Sequence, residues 1–541
     1  MNGRRRRLAA GAASLILAAA LAACAPAHQN GDTVTLPALV PAPASISAVD
    51  GPAIRLASDT LVEGDMDAVG ALTSLVRART GVGLERREGA PIVLQIEKGG
   101  PAESYEIAAG GASVVITGAD AAGLYYGIQS LGQLVRPSSD ATGSGWEIPS
   151  VAVADAPRFA YRGVMLDVAR HFQPVETVKA YIDRAASLKL NALHLHLSDD
   201  QSWRLQLDSR PLLTERSSSS SVGGDPGGFY TKREYREIVE HAAARHMIVV
   251  PEFDMPGHTH AITLAYPELM EEPVIDDHMR EVADSHGGAL PRNGEDYEGT
   301  AVGFSSLKIH DEATYDFVAD VFGELAAMTP GPYLHFGGDE SLATSAEDFD
   351  EFVSRVSAII VDLGKVPVAW HEAGSAKDIS DQTIGQYWGF LTPTDGMDDK
   401  ARAFVANGAQ VILSPADAIY LDMKPTESIE LGLTWANGPT SVERSYSWEP
   451  SSLIAGIGDD DILGVEAPLW TETIRNLEAI DVMAFPRIAS AAEAAWSPST
   501  EVSALRTWES FRERVGAMGP LWTSLGIGYL PSDEIPWVDE E

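Results

Sequence analysis

Over the last two thirds of the chain, short apolar runs alternate with longer stretches in which apolar residues recur every three or four positions. The short runs predict strands over 162–168, 190–197, 247–250, 333–336, 366–370, 383–388, 410–413 and 462–465. The longer stretches predict helices over 175–188, 235–245, 313–327, 346–363 and about 479–495. Val178, Ile182, Ala185 and Leu188 fall on one helical face. Leu193, Leu195 and Leu197 point to one side of their strand, with His194 and His196 on the other. Eight strands, most of them separated by helices or long loops, imply a parallel sheet. Their number predicts an α/β fold, a (β/α)8 TIM barrel over 159–500.

A small N-terminal α/β domain is expected over 40–158. Its strand candidates are 91–96 and 113–117, and its helix candidate is 119–134, with Leu124, Ile128, Leu131 and Leu134 at helical spacing. Asp155-Ala156-Pro157 marks the boundary to the barrel. Residues 501–541 are expected to form a C-terminal helical extension packed on the barrel. The long connection 266–304 is expected to shape or cover the barrel mouth.

The front of the chain reads as an address. Arg4 to Arg7 precede an alanine-rich apolar run over 8–20 that is too short to span a bilayer, so 1–23 is expected to be a signal peptide. Small residues before Cys24 are similar to a bacterial lipobox, which would make Cys24 a lipidated first residue and 24–39 a tether. Lipid attachment is then the only expected membrane contact, at the extracellular face of the cell membrane, with plain secretion as the alternative. Cys24 is the one cysteine, so no intramolecular disulfide can form. The formal net charge of -39 disfavours nucleic acid and anionic surfaces as partners, and a polyanionic substrate.

Polar and aromatic residues gather just after the predicted strands, at the face where barrel enzymes place their chemistry. In chain order they are Asp167 with Arg170, Asp199, Asp254 with His258, Asp339-Glu340, Trp370, Trp388, Tyr420 with Asp422 and Trp435, and Trp470 with Glu472. Asp339-Glu340 follows His335-Phe336-Gly337-Gly338, and glycines there let backbone and ligand approach closely. Neighbouring acids favour a state with one protonated and one ionised. Indoles for the apolar faces of a ring, with carboxylates and a guanidinium for its hydroxyls, are what a sugar pocket requires.

Glu-x-Asp-x-Pro-Gly-His from Glu252, His-x-Gly-Gly-Asp-Glu from His335 and Leu-Trp-x-Glu from Leu469 occur in that order. With them the chain resembles glycoside hydrolase family 20, the β-N-acetylhexosaminidases, over about 36–500. The resemblance implies a small domain before the barrel and exo-acting removal of terminal β-linked GlcNAc or GalNAc, without metal or organic cofactor. It implies retention at the anomeric carbon, with the substrate's acetamido oxygen as nucleophile and an oxazolinium intermediate. Glu340 would be the acid and later the base, Asp339 would hold the acetamido nitrogen, and Tyr420 its carbonyl oxygen. Trp370, Trp388 and Trp470 would wall the acetamido methyl and the ring. Arg170, Asp422 and Glu472 would bind outer hydroxyls, and Trp435 would support the next sugar. Asp199 and His258 would stand behind Glu340. Ala369 and Ser341 depart from the family's commoner residues. Two other readings stay open: a metal-dependent barrel hydrolase using His194, His196, Asp254, His258 and His260, and a sugar-binding lipoprotein without catalysis. The natural substrate and the oligomeric state are left open.

Overall fold

The computed structural model describes residues 36–138, 145–286 and 289–538. Cys24, the leader and most of the expected tether lie outside them. No helix among the described residues is long and apolar enough to cross a membrane.

The small domain is a seven-stranded mixed sheet in the order Ser45–Ala48, Val151–Asp155, Tyr105–Gly110, Ser113–Gly118, Ile92–Ile96, Leu61–Glu63, Glu85–Arg86. Helices Met66–Thr80 and Ala121–Leu134 pack against it through Leu72, Val76, Leu124, Ile128 and Leu131. The expected strands 91–96 and 113–117 and the expected helix 119–134 are present within two residues. Helix Met66–Thr80 was not expected from the pattern, because only Val69, Leu72 and Val76 are buried on it. Its start is nonetheless signalled by Asp65, whose side chain accepts from the Ala68 amide.

The barrel strands are β1 Tyr161–Asp167, β2 Ala192–His196, β3 Ile248–Glu252, β4 Tyr333–His335, β5 Val366–Trp370, β6 Ile384–Tyr387, β7 Val411–Leu413 and β8 Ile462–Ala467. They pair in parallel and in sequence, and β8 closes on β1 through Tyr161↔Gly464 and Arg162↔Val465. The fold is a (β/α)8 TIM barrel behind a small domain, as the alternation predicts. Outward residues such as Val164, Leu166, Leu193 and Leu195 join the helices Val175–Ser187, Lys232–Ala243, Glu312–Met328 and Ala346–Asp362 in the main core. Each such aliphatic side chain contributes about 1.5–3 kcal/mol by leaving water.

The barrel interior is layered. Tyr161, Ala192, Val250, Val368, Ile384, Ile412 and Leu463 form an apolar plug. Above it lies a buried polar layer of His194, Glu252, His335, Gln386 and Glu466. Gly163 makes room there, since a Cβ on it would come within 2.6 Å of Glu466 Oε2. A mostly apolar, aromatic layer with Met165, Trp370, Tyr420 and Trp470 tops the barrel.

One expected element differs. The single helix over about 479–495 is two helices, Leu477–Ala484 and Ile488–Trp496, separated at Phe485-Pro486. Proline offers no amide hydrogen and ends the first helix. Arg487 Nη2 then donates to the carbonyls of Met483 (2.8 Å) and Leu421 (2.7 Å), tying the break to the loop that carries Tyr420 and Asp422. Helices Trp508–Gly516 and Gly519–Ser524 pack on the barrel, with Arg514 donating to both Glu493 oxygens at 2.7 Å.

Candidate active site

Asp339 and Glu340 leave β4 on a tight turn. Gly337 and Gly338 have φ of 71° and 97°, and Glu340 itself has φ 43°. A left-handed conformation costs a residue with a side chain about 1–2 kcal/mol, so the surroundings hold Glu340 in place. The Gly338 amide donates to Asp254 Oδ1 at 3.0 Å. The turn buries Asp339 (side chain 11% exposed) and leaves Glu340 accessible (36%).

Both acids converge on one imidazole: His258 Nε2 lies 3.6 Å from Asp339 Oδ2 and 3.6 Å from Glu340 Oε2. On its other side, His258 Nδ1 is 3.1 Å from Asp199 Oδ1, and Arg170 Nη1 is 2.8 Å from Asp199 Oδ2. Burial alone would make His258 a weaker base. The Asp199 and Asp339 carboxylates overturn that and hold it well above the usual histidine range, as a cation. Burial would likewise raise Asp199, but Arg170 and His258 hold it ionised.

Asp254 faces Asp339, and Asp254 Oδ2 and Asp339 Oδ1 are both buried without a donor among the described residues. Two carboxylates in that position need one proton between them. Burial and the Asp339 charge place it on Asp254, pushing its pKa well up.

The aromatic wall stands beside these acids. Trp370 and Trp470 have ring centroids 6.1 Å apart, inclined at 40°, in one apolar cluster with Tyr420 and Trp388. Trp388 Nε1 donates to both oxygens of Glu372, at 3.0 and 3.2 Å. Trp435 is 47% exposed at the rim and meets Trp388 and Tyr420 edge-on at 6.0 and 5.8 Å. Arg170 also lies 4.8 Å over the Trp470 ring.

Several neighbouring buried polar atoms have no hydrogen-bond partner among the described residues: both oxygens of Asp422, Glu472 Oε2 and Arg170 Nε. Buried polar groups are normally satisfied, so a cluster of orphans marks a place for ligand hydroxyls. Burial raises Asp422 well above the carboxylate range. It moves Glu472 to about 7 despite the pull of Arg170.

The structure thus brings together the residues singled out as the sugar site: Asp339 and Glu340 with His258, Asp199 and Arg170, and Trp370, Trp388, Tyr420, Trp435 and Trp470 with Asp422 and Glu472. Glu252 heads one of the motifs but, like Glu372 and Glu466, was given no role from the sequence. Glu252 and Glu466 act on neighbours from inside the barrel, and the one available signal was strand alternation. Cys24 lies outside the described residues. The histidines of the metal reading do not form one centre. His194 Nδ1 and Nε2 are bonded to Glu466 (2.9 Å) and Glu252 (3.0 Å), while His260 Nε2 donates to the Glu295 carbonyl at 3.0 Å, away from the others. Asp254, His258 and Asp339 are close enough to share an ion, and so are His196, Asp199 and Asp254.

Paired acids on a charged histidine, an indole-walled pocket and unpaired hydroxyl-binding groups define a carbohydrate-cleaving barrel enzyme. The catalytic-domain model of glycosyl hydrolase family 20 matches residues 159–499, and that family's domain 2 matches residues 36–156. A beta-N-acetylhexosaminidase from Cellulomonas fimi is 39% identical over 517 residues, 92% of this chain and 97% of its own length. A solved glycoside hydrolase family 20 beta-N-acetylglucosaminidase is 66% identical with a TM-score of 0.85, covering 93% of this chain and 100% of that one. A mutant Streptomyces plicatus beta-hexosaminidase in complex with its product GlcNAc is 41% identical with a TM-score of 0.83, covering 94% and 99%. The chain belongs to glycosyl hydrolase family 20 and is a glycoside hydrolase of the β-N-acetylhexosaminidase kind.

Proposed function

We propose that this enzyme removes terminal β-linked GlcNAc from oligosaccharides by exo attack, with retention, using the substrate's own acetamido oxygen as nucleophile. The observation that carries the reading is the convergence of Asp339 and Glu340 on one histidine, each 3.6 Å from His258 Nε2. A protein nucleophile must face the sugar from the side opposite the acid. Two acids on one imidazole sit on the same side, and the substrate-assisted route known for this family needs no second one.

Glu340 gives its proton to the glycosidic oxygen as the bond to the anomeric carbon breaks. The acetamido carbonyl oxygen forms a new bond to that carbon, and the leaving sugar departs as an alcohol. Asp339 accepts from the acetamido N–H and balances the positive charge of the oxazolinium, and the Tyr420 hydroxyl orients the carbonyl oxygen. Glu340, now ionised, takes a proton from water, whose oxygen attacks the anomeric carbon and reopens the ring. Trp370, Trp388 and Trp470 exclude water around the acetamido methyl. Arg170, Asp422 and Glu472 hold the far hydroxyls and close the pocket, which supports exo attack, and Trp435 at the rim supports the next sugar.

Release of nitrophenol from the β-N-acetylglucosaminide, run beside the plain β-glucoside with and without EDTA, tests this. The expected result is turnover of the acetamido substrate alone, indifferent to chelator. Activity abolished by EDTA, or equal turnover of the glucoside, would overturn it. The same proposal places the enzyme outside the cell on a lipid attached at Cys24. A labelled fatty acid retained by the wild type and lost in Cys24→Ser is the expected result.

A further inference from the structure

Glu252 ends β3 inside the barrel and is fully buried. Its two oxygens serve different neighbours. Oε1 accepts from Trp370 Nε1 at 3.0 Å, with His335 Nδ1 also 3.0 Å away. Oε2 is bonded to His194 Nε2 at 3.0 Å and to His196 Nδ1 by a short contact. From His196 the line continues: Nε2 is 2.8 Å from Asp199 Oδ2, and Asp199 Oδ1 is 3.1 Å from His258 Nδ1. His258 Nε2 then faces Asp339 and Glu340.

We propose that Glu252 is a positioning residue that fixes the acetamido pocket through Trp370 and the protonation of the catalytic acid through His196, Asp199 and His258. This rests on the function proposed above and adds a link between its two halves. One carboxylate sets where the indole wall stands and how the proton line is charged, so the pocket and the acid are held in register by a group that touches neither substrate nor reacting atoms.

The charges agree with the geometry. Burial alone would neutralise this cluster, but Glu252 and Glu466 raise His194 to about 10, and Glu252 and Asp199 raise His196 to about 9. The histidines in turn hold Glu252 well below the carboxylate range. A neutral amide at 252 withdraws one negative charge from His196, whose proton is then lost at lower pH. The amide has one acceptor oxygen where the carboxylate had two, so the Trp370 indole N–H and the histidine N–H groups compete for it and Trp370 is held less firmly.

The test compares wild type, Glu252→Gln, Trp370→Phe and His196→Gln on the nitrophenyl β-N-acetylglucosaminide, reading KM, kcat and the pH profile of kcat/KM, with unfolding midpoints alongside. In Glu252→Gln the expected result is a KM raised at least about fivefold and an alkaline limb displaced by at least about half a unit. Trp370→Phe should reproduce only the first change and His196→Gln only the second. A folded Glu252→Gln with wild-type KM and wild-type limbs, even if its unfolding midpoint falls, would leave Glu252 a purely structural residue and overturn the proposal. If Glu252→Gln does not fold, the other two variants decide, and an unmoved KM in the first or an unmoved limb in the second overturns it. A wild type silent on this substrate overturns the proposed function instead, which separates the two failures.

Discussion

Gly337 and Asp254 share one space. A Cβ built on Gly337 would overlap Asp254 Oδ1 and approach its Cα to 2.8 Å, and Gly337 has φ 71°, which a side chain resists. The glycine therefore lets the acid after β3 lie under the turn after β4, where it carries the proton shared with Asp339. Gly337→Ala is expected to displace Asp254 and lower kcat/KM on the nitrophenyl β-N-acetylglucosaminide by at least about a hundredfold, since a misplacement of about 1 Å can cost that much. Steady-state kinetics on the purified variant check this, and wild-type turnover would show that the turn adapts.

Asp339 and Glu340 should separate kinetically. Glu340→Gln is expected to fold with an unchanged unfolding midpoint and to lose about 10²–10⁴-fold in kcat, the usual worth of a positioned acid. Asp339→Asn removes the charge that opposes ionisation of Asp254 and balances the oxazolinium, so it should lose kcat equally on the nitrophenyl β-N-acetylglucosaminide and on a GlcNAc disaccharide, whereas Glu340→Gln should lose more on the disaccharide, whose leaving group needs the proton. Assays of both variants on both substrates decide this, and a wild-type kcat in Asp339→Asn would contradict the role of Asp339.

How much of this was legible beforehand follows the range of the signals. The turn at Gly337-Gly338-Asp339-Glu340 and the tryptophans at strand ends are local patterns, readable in short windows. The polar layer inside the barrel is not local: Glu252, His194, His335 and Glu466 come from four strands and meet only when the barrel closes. Alternation did set His194 and His196 apart from the leucines, but it could not say that they would face carboxylates rather than a metal. In the small domain, strands as short as Ile54–Leu56 and Leu61–Glu63 carry too few residues for a period to show. The break at Pro486 was visible as a residue and was overridden by the apolar spacing around it.

Glu372 gives a pH dependence with a definite sign. Burial first, then the Asp339 charge, push it up to about 8, and its side chain is only 20% exposed. A folded-state value above the unfolded one means the folded protein holds a proton that the unfolded chain releases. Its contribution to stability is full below pH about 4.5 and is lost as pH rises to about 8, at a limiting slope of about 1.4 kcal/mol per pH unit. Glu372→Gln keeps an acceptor for Trp388 Nε1 and cannot ionise. The difference in unfolding midpoint, variant minus wild type, should therefore grow from pH 5 to pH 8 and then level. Thermal unfolding across that range measures it, and a flat difference would place the Glu372 proton elsewhere.

Lys189 joins the two folded layers at the end of the barrel away from the acids, just before β2. Its ammonium is 3.0 Å from Asp155 Oδ2 and 2.8 Å from the Tyr105 hydroxyl, and it lies 4.7 Å from the Trp496 ring centroid. Trp496 Nε1 donates to the same Asp155 oxygen at 3.0 Å. Burial lowers the lysine's pKa, and Asp155 is what opposes that. Lys189→Met would leave a buried carboxylate uncompensated, at a cost of about 3–5 kcal/mol. Adding Asp155→Asn should recover most of that loss, because the pair together costs far less to remove than one partner alone. Urea unfolding of the two variants measures both terms. Since Lys189 precedes β2 and His196 ends it, kcat/KM at 25 °C should stay at the wild-type level in both. A midpoint in Lys189→Met equal to wild type would mean that the small domain is held to the barrel without this pair, by its other contacts such as Arg162 with Glu103.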